Sequence, residues 1–186
     1  MIPEPCVATI GFFDGVHMGH RYLIQQVKEI AAAKGLRSAL VTFPVHPRKV
    51  MNAAYHPELL TTPEEKTNLL AGTGVDYCLM LDFTPDISRL TAKEFMTQIL
   101  KERFQVKYLV IGYDHRFGHN RSEGFDDYVR YGQAIGIEVI RAQAYTDDIQ
   151  IDTIQSAPVS SSLIRKLLHQ GDVDVAARCL GYEYFL

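Results

Sequence analysis

The sequence has few cysteines, no long apolar run and no excess of positive charge, and each shortage excludes a class of protein. Its three cysteines, Cys6, Cys78 and Cys179, lie far apart, are odd in number and form no CxxC pair, so neither a disulfide framework nor a zinc knuckle is expected. They read as reduced core residues. No uninterrupted apolar stretch approaches the roughly 20 residues that cross a bilayer, and residues 1–6 lack the basic-then-apolar form of a signal peptide. A cytoplasmic protein that does not engage membranes is the expectation. With 19 Lys and Arg against 22 Asp and Glu the net charge is −3, and a general nucleic-acid binder would need a basic stripe. Any site for an anion must therefore be local.

What is present suits one globular domain: 186 residues, 47% hydrophobic and 22% charged, enough apolar surface to fill a core. The run at 6–10 is too short for a helix and reads as a buried strand. A glycine-punctuated turn follows, then a helical face of Leu23, Ile24, Val27, Ile30 and Ala31, stopped at Gly35, then a strand at 37–43. Further along, Thr62-Pro63-Glu64-Glu65 and Thr91-Ala92-Lys93-Glu94 carry the chemistry of helix starts, the second opening a helix to about Arg103. Strands are expected at 75–83, 107–111 and 137–140, with a helix within 126–135. Strands separated by helices imply an α/β fold, a parallel sheet with helices on both faces. In the tail, Ser160-Ser161-Ser162 precedes a helix closed by Gly171, and Asp172 caps a last short helix ending at Gly181. The abrupt end at Tyr184-Phe185-Leu186 reads as a cut through a longer protein.

The densest feature is Gly11-Phe12-Phe13-Asp14-Gly15-Val16-His17-Met18-Gly19-His20, where the first strand hands over to the first helix. Open parallel sheets bind ligands at the carboxyl ends of their strands, and a helix N-terminus offers free N–H groups to phosphate. His17 and His20, three apart, share a helix face, and Gly19 between them keeps that face open. An isolated HxxH is more often structural or a weak metal pair. Here its position favours phosphate, and no further zinc ligand is near in sequence. Hydroxyls at 160–162 and Arg165 one turn later offer a second grip, or else an ordinary serine cap with a surface arginine. His46, His115 and Phe117 read equally as site or as loop and core residues. His56, His119 and His169 are assigned to solvated surface.

Residues 11–20 resemble the HxGH signature of the nucleotidyltransferase superfamily. In the longer form G-x-F-D-G-V-H-x-G-H they resemble the FAD synthetase module of bacterial bifunctional riboflavin kinase/FMN adenylyltransferases. Four further segments agree in order: Phe43-Pro44-Val45-His46-Pro47-Arg48 with the F-x-P-H-P loop, residues 60–66 with the LT-x-x-E-K helix start, residues 112–118 with the G-x-D-F-x-F-G loop, and residues 160–165 with S-S-T-x-I-R. Residues 171–181 are similar to the G-D-V helix that precedes the kinase module. The chain departs from the pattern at Pro44 and Val45 and at His115, where Phe is usual.

The resemblance implies a Rossmann-like domain over residues 1–186 that transfers AMP from MgATP to FMN, giving FAD and pyrophosphate. A riboflavin kinase domain would follow it in the natural chain. It assigns His17, His20 and Arg165 to the reacting phosphates, and Gly11, Phe12, Phe13, Asp14, Gly19, Ser160, Ser161 and Ser162 to ATP. His46, Pro47, Arg48 and Asp114 fall to FMN, and Mg2+ arrives with ATP, without a dedicated set of protein ligands. Two other readings stand beside it: a nucleotidyltransferase with another phosphorylated acceptor, such as pantetheine phosphate or nicotinamide mononucleotide, and a nucleotide- or flavin-binding module without catalysis.

Overall fold

A computed structural model describes residues 4–112, 115–146, 150–152, 155–156 and 158–184. Five parallel strands, β1 (Cys6–Ile10), β2 (Arg37–Thr42), β3 (Tyr77–Met80), β4 (Val106–Ile111) and β5 (Glu138–Arg141), form one sheet in the order β3-β2-β1-β4-β5. The chain winds outward from β1 in one direction to β3, returns to the other side of β1, and winds outward again. The place where it reverses, between the ends of β1 and β4, is where such sheets leave a crevice for ligands.

Alternation along the strands separates two packed layers. Cys6, Ala8 and Ile10 of β1, with Ala39 and Val41 of β2 and Leu109 and Ile111 of β4, face Phe95, Met96, Leu100 and Tyr128. Val7 and Val110 face the other way, onto Val27 and Ala31 of α1 (Met18–Lys34). Phe95, Met96 and Leu100 belong to α5 (Ala92–Glu94), which continues as π-helical turns over Phe95–Arg103; Tyr128 belongs to α6 (Phe125–Ile135). Helices thus cover both faces. A bulge between Cys6 and Val7 in the β1–β4 pairing lets Val106 and Leu109 both reach the first layer. Each fully buried aliphatic side chain of this kind contributes about 2 kcal/mol.

The expected helix ends are made by the expected atoms. Glu65 N–H donates to Thr62 Oγ1 (3.2 Å) while Thr62 N–H donates to Glu65 Oε2 (2.8 Å), opening α3 (Pro63–Ala71); Thr91 and Glu94 repeat the exchange at α5. Gly35 closes α1 in the left-handed conformation, φ 64°. The last elements are α7 (Ser161–Gln170) and α8 (Val173–Leu180), and Asp172 occupies the cap position of α8 without a side-chain bond. Three pieces add to the expected pattern: α2 (Pro47–Met51), α4 (Pro85–Ser88) and an antiparallel pair, β6 (Gln150–Asp152) with β7 (Gln155–Ser156). Cys6 and Cys179 are buried, but Cys78 is exposed, because β3 is the edge strand and turns that side chain outward. No helix among the described residues is long and apolar enough to cross a membrane.

Gly132 of α6 packs tightly against the chain entering β5: a Cβ there would lie 2.2 Å from the Ile137 carbonyl oxygen and 3.1 Å from Val139. Both contacts belong to β5 or the residue entering it, which cannot yield without moving the strand. Gly132→Ala is expected to destabilise the fold by about 1–3 kcal/mol, as overpacking does. Thermal unfolding followed by circular dichroism measures it.

Candidate active site

Every segment singled out for phosphate or acceptor binding that falls on described residues lies at the carboxyl end of the sheet. β1 delivers the turn 11–17, β2 the loop 43–46, β4 the loop to Gly118, and α7 begins beside the turn of β1. The turn itself is unusual. Phe13 (φ 57°), Gly15 (φ 77°) and Val16 (φ 39°) all lie at positive φ, and each non-glycine residue there costs on the order of 1–3 kcal/mol. Gly15 is required twice over, because a Cβ would also stand 2.8 Å from Leu60.

Asp14, 5% exposed, holds this turn. Leu60 N–H donates to its Oδ1 (2.9 Å) and Oδ2 (3.1 Å), Thr61 N–H to Oδ1 (3.3 Å), and Arg165 Nη2 to Oδ2 (2.6 Å). Three more bonds secure the same backbone: Thr61 Oγ1 accepts from Gly15 N–H, Ser161 Oγ donates to Asp14 O, and Tyr182 OH donates to Gly15 O. Residues separated by up to 167 positions are thus tied at one point. Asp14 orients the loop. Arg165 donates to its carboxylate and, through Nε, to Glu58 O (2.5 Å), so part of the guanidinium is committed to protein; its side chain stays 27% exposed.

His17 is the N-cap of α1: its Nδ1 accepts from His20 N–H (3.3 Å), which leaves the neutral ring's proton on Nε2. The His17 and His20 rings stack with centroids 3.6 Å apart, and Phe13 meets His20 edge-on at 5.2 Å. Burial pushes the His17 pKa down to about 4, against a smaller upward pull from Asp14. His20 is also held well below its ordinary value, by burial and by the charges of His17 and Lys66. The pair is therefore neutral at neutral pH, and presents N–H donors without a fixed charge. Ser160 caps α7 by accepting from Leu163 N–H (3.2 Å), with Ser161 and Ser162 in its first turn. Gly19 lies between the His17 ring and the Val159 carbonyl, so the two helix starts are neighbours.

On the other side of the turn is a cavity of about 500 Å³ walled by Phe12, Phe43, Phe83, Phe95 and Phe117. Its rim carries His46, Pro47 and Arg48 from the β2 loop and His115 and Arg116 from the β4 loop. His46 caps α2 by accepting from Arg48 N–H (3.1 Å) and meets Phe12 edge-on at 4.7 Å. Phe117 serves both core and cavity, stacked on Tyr128 at 4.1 Å. Asp114 lies outside the described residues. His56, His119 and His169 are exposed as expected, but His119 also lines the cavity, with Nδ1 3.3 Å from Ser88 O. Sequence reasoning passed over Lys66, Tyr182 and Thr61. Thr61 and Lys66 fell within the 60–66 segment matched to a helix start, which gave neither of them a role; Tyr182 had no local signal.

A parallel sheet wound both ways from β1, with two helix starts and an imidazole pair at its carboxyl end, defines a nucleotide-binding α/β domain. The FAD synthetase family model matches residues 1–158, and the chain belongs to that family. It is 34% identical over 179 residues to the bifunctional riboflavin kinase/FMN adenylyltransferase of Listeria monocytogenes, covering 96% of this chain and 54% of that protein. The Escherichia coli K12 and Bacillus subtilis proteins of the same name are each 32% identical, covering 97% of this chain and 56% and 54% of theirs. The chain thus spans about half the length of the curated relatives it matches. A crystal structure of a Streptococcus pneumoniae protein described as a macrolide-efflux protein is similar throughout, with a TM-score of 0.83, 28% identity and coverage of 99% of this chain and 67% of that one.

Two outcomes follow from the electrostatics. Asp14→Asn leaves Arg165 without its ionic partner and weakens the bonds from Leu60 and Thr61; a loss of about 2–3 kcal/mol is expected in urea unfolding, reduced from the fully buried case by the exposure of Arg165. Because the His17 pKa in the folded chain, about 4, lies below its unfolded value near 6.5, the unfolded chain binds more protons between those limits. The contribution of His17 to stability is complete above pH 6.5 and is lost as pH falls through 4. Urea unfolding at pH 7 and 4.5 should show a smaller decline for His17→Gln than for the unsubstituted chain.

Proposed function

We propose that this chain transfers the adenylyl group of MgATP to FMN, forming FAD and releasing pyrophosphate. The observation that carries the reading is the sharing of one turn by two sites. Phe13 packs against the imidazole pair that suits a triphosphate, and Phe12, the next residue back, walls an aromatic cavity of a size suited to a fused-ring ligand. An acceptor lying in the cavity with its phosphate toward the turn meets the nucleotide's α-phosphate there.

The chemistry asks for alignment rather than a protein nucleophile. An FMN phosphate oxygen attacks the α-phosphorus, a P–O bond forms, the bond to the β-phosphate oxygen breaks, and the electron pair leaves with pyrophosphate. His17 donates from Nε2 and His20 lies stacked beside it, so both are suited to the charge that develops on the transferring and leaving oxygens. Gly11, Gly19 and the α1 start let backbone N–H groups approach the phosphates, and the α7 start with Ser160, Ser161 and Ser162 forms the second grip. Arg165 holds Asp14 and has further N–H donors for a phosphate oxygen. His46, Pro47 and Arg48 would close over the flavin, with Asp114 from the neighbouring loop. Magnesium enters as part of the nucleotide substrate; the described residues contain no group of three or more His, Cys, Asp or Glu that could hold an ion, and the Asp14 carboxylate is occupied by protein donors. The relatives' names suggest that riboflavin phosphorylation belongs to the half of those proteins that this chain does not match. We infer a cytoplasmic setting for this activity, where ATP and FMN are both available.

Incubation with MgATP and FMN should yield FAD and pyrophosphate in equal amounts. His17→Ala and His20→Ala should each lower kcat by about a hundredfold, the effect of losing a transition-state donor worth about 3 kcal/mol. Turnover of a different phosphorylated acceptor, without FAD, would assign the chain to another nucleotidyltransferase activity. Binding of both ligands with no turnover would make it a binding module.

A further inference from the structure

Lys66 takes no part in the steps above, yet it is a charged side chain buried beside the site. It is 2% exposed, and among the described residues no carboxylate lies within ion-pair distance of it. Removing an ammonium from water is expensive, and a methionine of similar length would fill the same space without that cost. The contacts indicate what the charge does. Lys66 Nζ donates to Phe43 O at 2.8 Å and to Phe12 O at 3.1 Å, joining the chain just beyond β2 to the chain just beyond β1. It also lies 3.8 Å from the centroid of the Phe12 ring, within range of a cation–π attraction. Thr42 Oγ1 donates to the same Phe12 carbonyl at 3.2 Å. The Lys66 ammonium therefore touches both the backbone carbonyl and the ring of Phe12, sharing the carbonyl with Thr42.

We propose that Lys66 is a positioning residue for adenylyl transfer, fixing Phe12 as the wall between the imidazole pair and the aromatic cavity so that the acceptor phosphate lines up on the nucleotide. The inference rests on the activity proposed above. Its charge reaches both sides of that wall, since it lowers the pKa of His20 on one side and of His46 on the other. Burial brings the Lys66 pKa down to about 8, with Asp14 and Cys78 pulling it back up, so its charge is lost in mildly alkaline solution. The titratable groups facing it are Asp14 on the β1 turn, Cys78 on β3, His20 on α1 and His46 on the β2 loop. The two histidines are held low by burial, the Cys78 thiol is held high because its sulfur is partly desolvated even though the residue is exposed on the edge strand, and Lys66 titrates between them.

Steady-state FAD formation by Lys66→Met, Lys66→Arg and the unsubstituted chain, with FMN and ATP varied separately from pH 6.5 to 9.5, tests the proposal. The unsubstituted chain should lose kcat/KM for FMN with a midpoint near pH 8. Lys66→Met should sit about tenfold or more lower at pH 7, as expected for loss of charge-assisted bonds, with no alkaline decline and with KM for FMN moved more than KM for ATP. Lys66→Arg keeps its charge, so its decline should vanish from this range. Unchanged kcat/KM for FMN in a folded Lys66→Met, or a decline near pH 8 that persists in either variant, would overturn the proposal. Should Lys66→Met not fold, the profiles of Lys66→Arg and the unsubstituted chain decide alone. Absence of FAD from the unsubstituted chain would instead overturn the activity itself, while normal FAD formation by Lys66→Met would remove only the role of Lys66.

Discussion

The carboxylate of Asp14 is the point at which the β1 turn, the chain entering α3 and the start of α7 are joined. The turn it serves is strained at Phe13 and Val16, and strain of that size persists only where the surroundings over-determine the backbone. Bonds from Leu60, Thr61 and Arg165 to the carboxylate, and from Ser161 and Tyr182 to the adjoining carbonyls, supply that determination. His17 and His20 inherit their places from it. Their stacking and the helix start they form follow from where the turn lets α1 begin.

For an acidic chain to take the polyanionic substrates proposed above, it must concentrate its attraction. The donors at the imidazole pair are neutral, because burial and mutual proximity forbid charging both rings, and the positive potential comes from other sources. The starts of α1 and α7 direct N–H groups and dipoles to one end of the sheet. Arg165 is half neutralised by Asp14, and Lys66 is buried beneath the turn. Such a site offers oriented donors with little bulk charge, and so favours a phosphate held in one geometry over anions in general.

Sequence reasoning succeeded where a feature is written within a few residues. The Thr62/Glu65 and Thr91/Glu94 exchanges, the stop at Gly35 and the five parallel strands needed only neighbours to specify them. The HxGH turn and the 160–165 helix start were visible as motifs, but their adjacency is set by long-range contacts such as Ser161 to Asp14 O that no motif records. Short α2 and α4 carry too little periodicity to read, although Pro47 and Pro85 each stand at a first helical position. Cys78 was misplaced in the core because its exposure depends on β3 being an edge, a property of the whole sheet. The partners of Arg165 and Lys66 lie 151 and 54 positions away, so nothing local distinguished a phosphate fork from a strut, or a surface lysine from a buried one.

The tail helices carry a consequence for how the site is completed. Ser161, Arg165 and Tyr182 all bond to Asp14 or Gly15, which precede them in the chain by 147 to 167 positions. The sheet can assemble once β5 is present, but the strained turn at its end then lacks three of its supports. During synthesis the β1 turn therefore waits, under-determined, until residue 182 has emerged and α7 and α8 have docked. Contacts of such long sequence separation form late. A chain interrupted after the sheet would possess the fold of a nucleotide-binding domain while its active turn was still free to relax.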